Sequence, residues 1–116
     1  MTDRPTVRLT PGDHPGVRVL TLDDPDKRNA IGPRMRDELA AAVAEVAADP
    51  EARVLVVTGA GSAFCAGADL PAVFGGPPRQ VAEMRRDLVR IYESFLAVAR
   101  LPIPTIAAVQ GPAVGA

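Results

Sequence analysis

The sequence predicts an α/β fold, and three observations carry that reading. Two short apolar segments, "VLVVTG" at 54–59 and "TIAAVQG" at 105–111, have the character of strands buried on both faces of a parallel sheet. A helical pattern of apolar residues precedes each of them, so helix and strand alternate as in crossover units. Nearer the N-terminus, "VRLT" and "VRVLTLDD" are short, rich in β-branched residues and bounded by Pro and Gly, which is the pattern of paired strands.

Each element has its own reason. The first two strands are joined through "PGDHPG" and are expected to form a hairpin, with His14 exposed at its turn. "DDPDKRNAIG" has no periodicity and many turn residues, so it reads as a surface loop holding Lys27 and Arg28 side by side. Pro33 suits the first turn of a helix, and Met35, Leu39, Ala42, Val43 and Val46 recur on one helical face until "ADP" ends the run. After "VLVVTG", the stretch "SAFCAGADLPAVFGGPP" is dominated by small residues, Gly and Pro, with room for one short helical turn capped by the Asp69 carboxylate. A longer helix is expected from Arg79 to Arg100, with Val81, Met84, Leu88, Ile91, Tyr92, Phe95 and Val98 as its apolar stripe. "LPIP" breaks it, and "GPAVGA" opens another small-residue turn after the last strand.

The bulk composition narrows the function classes. The 116 residues read as at most one domain, residues 1–116 being the N-terminal part of it, with 13 basic and 14 acidic side chains, well mixed, and a formal net charge of −1. There is no basic stripe to neutralise a phosphate backbone, so nucleic acid is not an expected partner. No apolar run approaches the ~20 residues of a membrane span and the N-terminus carries no apolar core of a signal peptide, so a cytoplasmic location is expected. Cys65 and His14 are each the single residue of their type, which leaves no internal disulfide and no multi-cysteine metal site. Cys65 is expected to be a small buried hydrophobe rather than a nucleophile.

The glycines after "VLVVT" admit two chemistries. A dinucleotide loop needs G-x-G-x-x-G running directly into a helix; Gly59 and Gly61 fit, but the third position is Phe64 and no amphipathic run follows. A nicotinamide-dependent oxidoreductase is therefore a poor reading, and no phosphate loop of the G-x-x-x-x-G-K type is present. A plain strand-to-helix connection would leave unexplained that the organisation occurs twice. "VLVVTG" leads to "FCAGADL" as "TIAAVQG" leads to "PAVGA". Ligand sites in open α/β sheets lie beyond the carboxyl ends of strands, so two such loops could each offer a backbone amide to one oxygen.

Three stretches, "GVRVLTLDDPDKRNAIGPRM", "RVLVVTGAGSAFCAGADL" and "LPIPTIAAVQGPAVGA", resemble successive landmarks of the crotonase superfamily, the enoyl-CoA hydratase/isomerase group. The resemblance covers nearly the whole chain from about Val17 onward. It implies a crotonase-like spiral of repeated β-β-α units, of which this sequence supplies roughly the first half. It further implies an acyl-CoA thioester as substrate, no separate cofactor and no metal, since CoA arrives as part of the substrate. By position, the thioester oxygen would lie between the backbone N–H groups of Ala68 and Ala116, with Gly67 and Gly115 giving the tight backbone paths before them. Lys27 and Arg28 would face the CoA phosphates, Ala30 and Ala66 would approach the adenine, and Asp69 and Leu70 would flank the pocket, with Asp69 more a helix cap than a catalytic carboxylate.

Hydratases of this group hold a water between two glutamates, both C-terminal to the "PAVGA" position. Glu38, Glu45, Glu51, Glu83 and Glu93 do not stand at matching positions. The expectation is therefore a fragment of a fatty-acyl-CoA enzyme, inactive by itself, trimeric or hexameric at full length, with an apolar surface left uncovered. The rival expectation is a non-catalytic CoA-binding or assembly module that lacks the acid/base carboxylates.

Overall fold

The computed structural model describes residues 4–115 of the chain. Val7–Pro11 (β1) and Val17–Leu22 (β2) pair antiparallel, with Val7 opposite Leu22 and Leu9 opposite Leu20. This is the expected hairpin, and His14 is exposed in its turn. Pro33–Ala48 (α1) then returns the chain so that Val54–Gly59 (β3) lies parallel to β2. Leu70–Phe74 (α2) and Val81–Ala99 (α3) lead to Thr105–Ala107 (β4), parallel to β3. The sheet order is β1-β2-β3-β4. No helix among the described residues is long and apolar enough to cross a membrane.

The core follows from the helical and strand periods. Met35, Leu39, Val43 and Val46 recur every three or four residues on α1 and are all buried, which sets this face against the sheet and α3. Leu20 and Leu55 are fully enclosed and Ile91 of α3 is 1% exposed. Each such side chain contributes about 1.5–3 kcal/mol relative to leaving it in water.

Three expectations are corrected. First, β3 and β4 are not buried on both faces: Leu55 is the one fully buried residue of β3, and all three residues of β4 are exposed. The row Val19, Val56, Ile106 lies on the side of the sheet away from α1 and α3, and β4 is an edge strand, so Thr105 and Ala107 are exposed even on the side of Leu55 and Val57. Ile106, Val109 and Val114 are each more than half exposed, the uncovered apolar surface that the composition of these strands predicts. Second, the α3 stripe is narrower than expected. Ile91 and Ser94 are its buried residues, Leu88, Phe95 and Val98 pack against the core, and Val81 and Tyr92 face solvent. Ser94 tolerates burial because its hydroxyl donates to the Ile91 carbonyl at 2.6 Å. Third, the loop at 23–32 is not simply a surface segment, since Asp23, Asn29 and Ile31 are buried within it.

Buried and half-buried carboxylates brace the hairpin. Asp23 Oδ2 accepts from Arg4 and Arg8, both at 2.9 Å. Burial disfavours its charged form, but the bonds and charges of Arg4 and Arg8 outweigh burial and hold the carboxyl below its usual range. Burial of Glu38 is likewise outweighed, by the N–H groups of Thr6 and Val7 and by Arg34. A carboxyl with a folded pKa below its unfolded one contributes stability above about pH 4 to 4.5, and that stability is lost as pH falls through the folded value. The urea midpoint is therefore expected to stay level from pH 7 to 5 and to fall below about pH 4.5; a midpoint that rises on acidification would contradict the assignment.

Candidate functional site

The site is a seam between two loops. The Ala66 N–H donates to the Arg28 carbonyl at 3.0 Å, the Ile31 N–H to the Gly67 carbonyl at 2.8 Å, and the Asp69 N–H to the Ile31 carbonyl at 2.9 Å. Ile31 and Ala68 thus form an isolated parallel bridge. In that geometry the residue between the two bonded neighbours turns its own N–H away from the partner strand. The Ala68 N–H accordingly has no acceptor among the described residues, and Ala68 lines a cleft.

Two glycines shape the approach to that amide. Gly67 is buried with φ +96°, which an L side chain rarely adopts, and its N–H donates to Cys65 Sγ at 3.4 Å. Gly115, with φ +70°, lies beside Gly67: a Cβ built on it would make an ordinary contact, 3.5 Å from Gly67 Cα, so its backbone angle rather than lack of space favours glycine. The segment after β4 is held there by bonds from the Phe64 and Cys65 N–H groups to the Pro112 carbonyl, at 3.0 and 3.3 Å, and from the Val114 N–H to the Cys65 carbonyl at 3.0 Å. The two small-residue turns that follow β3 and β4 are therefore adjacent. Ala116, expected to offer the second amide, lies outside the described residues.

A cleft of about 670 Å³ gathers Lys27, Ala30, Ala66, Ala68, Asp69 and Leu70 along its wall. Arg28 lies apart from it, beside Ser62, Ala66 and Val114. The two cations that look equivalent in sequence differ in their surroundings. Lys27 Nζ is 3.3 Å from Asp69 Oδ2, whereas the Arg28 guanidinium has no side-chain partner among the described residues. Asp69 Oδ1 accepts from the Ala72 N–H at 3.3 Å and so caps α2, as expected of it. Leu70 is 55% exposed at the rim.

Asp69 is the one carboxylate on this wall, and it is occupied by its cap and by Lys27. Glu38 is engaged by Thr6, Val7 and Arg34, and Glu93 pairs with Arg100 at 2.7 Å. No cluster of three His, Cys, Asp or Glu suited to a metal occurs among the described residues.

Asn29 and Cys65 pack behind the seam, away from the cleft wall, and Asn29 escaped the sequence reading. Its only signal was a residue type tolerant of left-handed backbone, placed just before the apolar pair Ala30-Ile31; its φ is +59°. Cys65, 2% exposed, donates its S–H to the Asn29 carbonyl at 3.2 Å. Burial pushes the thiol up and the Gly67 N–H opposes this only in part, so the group is neutral near pH 7. Thiol labelling of the folded protein at pH 8 should run at least roughly a hundredfold slower than in urea. Equal rates would show that the packing around Cys65 is open.

Comparison with known proteins identifies the fold and the family. The chain superposes on the enoyl-CoA hydratase of Mycobacterium smegmatis with a TM-score of 0.81 and 34% identity, over 91% of this chain and 40% of that one. The fold is thus that of the crotonase-type α/β proteins. Residues 12–116 match the family model for enoyl-CoA hydratase/isomerase, and the chain belongs to that family. It is 50% identical over 100 residues to the probable enoyl-CoA hydratase EchA14 of Mycobacterium tuberculosis, covering 86% of this chain and 38% of that protein. It is 37% identical over 102 residues to 1,2-epoxyphenylacetyl-CoA isomerase of Escherichia coli, covering 87% and 39% respectively. The chain therefore spans about two-fifths of the length of these relatives.

Proposed function

We propose that these residues form the thioester-binding half of an acyl-CoA enzyme that acts on a 2-enoyl-CoA through an enolate, as a hydratase or isomerase. The observation that carries the reading is the unpartnered Ala68 N–H beside the Gly67–Gly115 contact. Reaction at the α or β carbon of a thioester moves negative charge onto its oxygen. A fixed N–H aimed at that oxygen strengthens its bond as the charge develops, so it favours the transition state over the bound substrate. Ala68 supplies one donor and Ala116 the second; side-chain identity matters little for a backbone donor, which is why alanines serve. Ala30 and Ala66 approach the adenine, and Lys27 and Arg28 meet the phosphates of the CoA. CoA enters as part of the substrate, and no further cofactor is invoked.

On the cleft wall Asp69 is held by its cap and by Lys27, and the acid/base groups of this reading come from elsewhere than this wall. In the full-length protein we place the assembly as a homo-oligomer in the cytoplasm. The test is hydration of crotonyl-CoA by the full-length protein, followed at the absorbance of the conjugated thioester, together with binding of butyryl-CoA. Turnover supports the hydratase reading. Binding without turnover of crotonyl-CoA or of its 3-enoyl isomer leaves a CoA-binding module, and absence of binding removes the reading altogether.

A further inference from the structure

The most buried polar residue among the described residues has no role in the chemistry above, yet it touches both halves of the seam. Asn29 is 0% exposed. Its Nδ2 donates to the carbonyls of Ala60, Ala63 and Phe64 at 3.0, 2.9 and 3.2 Å, and its Oδ1 accepts from the Asp24 N–H at 2.7 Å. Its backbone N–H donates to the Asp24 carbonyl at 3.0 Å, and its carbonyl accepts from Cys65. Both amide protons and both main-chain groups are therefore spent, all on residues of the two loops. Gly59 leaves the space this requires, since a Cβ there would stand 2.7 Å from the Phe64 carbonyl and 3.0 Å from Asn29 Nδ2.

We infer that Asn29 is a positioning residue that locks the loop carrying Lys27, Arg28 and Ala30 to the turn that aims the Ala68 amide, so that binding of the nucleotide end of the substrate fixes the oxyanion donor. The inference rests on the acyl-CoA reading above. Its physical content is that binding energy from a remote part of the substrate reaches the reacting carbonyl only if the two loops move as one body. A fully satisfied network around an enclosed side chain provides that rigidity, and a half-satisfied one does not. Neither Asn29 nor the 60–64 turn lines the cleft, so the coupling works through the seam.

The experiment compares crotonyl-CoA with crotonyl-pantetheine, which lacks the nucleotide, in the full-length protein. Asn29→Asp keeps the shape and tolerates the positive φ but loses the donors. The ratio of kcat/KM values for the two substrates is expected to fall about tenfold or more in the variant, with the loss for crotonyl-CoA in kcat. A role confined to holding the fold would lower both substrates alike, and an unchanged ratio in an active variant overturns the inference while leaving the acyl-CoA reading intact. If the variant does not fold, hydrogen exchange on the unmodified protein decides. Adenosine 3′,5′-bisphosphate should slow exchange at the Ala60 and Phe64 N–H groups as well as at 27–31. Slowing confined to 27–31 overturns the inference alone, whereas no slowing anywhere overturns both readings.

Discussion

Replacing Asn29 by alanine is expected to lower the stability of the folded protein by about 3 to 4 kcal/mol, near the upper end of what single substitutions do. The side chain is itself fully enclosed; it donates to three carbonyls and accepts from the Asp24 N–H, the bond to Ala63 being buried and the other three half-buried. Ala63 retains a bond from Gln110 Nε2 at 2.8 Å, so its carbonyl is not orphaned, but no such substitute stands against the Ala60 carbonyl or the Asp24 N–H among the described residues. Each buried polar group left without a partner costs about 1–3 kcal/mol. The left-handed backbone adds about 1 kcal/mol for a residue with a Cβ and no polar side chain to compensate. With a urea slope of about 1.5 kcal/mol/M the midpoint should move by roughly 2 M. A loss below about 1 kcal/mol would mean that water enters and satisfies the loop, and the rigid seam would have to be abandoned.

How much of this was legible in the sequence depends on how local the deciding interaction is. α1 was readable because Met35, Leu39, Val43 and Val46 carry the helical period within the segment itself, and Pro33 marks its first turn. The hairpin and the Asp69 cap were readable for the same reason: the partners lie within a few residues or across one turn. Asn29 was not, because the carbonyls that permit its burial come from 31 to 35 residues further on. Nor was the difference between Lys27 and Arg28, which is set by Asp69, 42 residues away from Lys27. The stripe of α3 failed at Tyr92 and Val81 because an apolar residue at helical spacing is buried only if another element reaches it. Tyr92 instead rests edge-on against Phe95, with ring centroids 5.3 Å apart, at 44% exposure. In the same way, β4 reads as a buried strand from its composition, but its burial depends on a covering layer that no residue of the strand encodes.

Removing the Ala68 N–H is expected to cost the full-length protein about a hundred- to a thousandfold in kcat, the effect of deleting one donor from an oxyanion site. Ala68→Pro does this directly, and the Ala68 N–H is not used by the fold: the bonds that hold the loop come from Ile31 and Asp69 on either side. Exchanging the Gly67–Ala68 amide for an ester deletes the same proton without the proline ring, so agreement between the two separates loss of the donor from disturbance of the loop. KM for the acyl-CoA should move much less than kcat, because a neutral thioester oxygen accepts only weakly while the developing enolate accepts strongly. Ala68→Ser, which retains the N–H, should keep kcat within a few-fold of the parent. If the ester variant turns over at the parent rate, the Ala68 amide does not meet the charge that develops, and its free N–H would have to be assigned to ground-state binding instead.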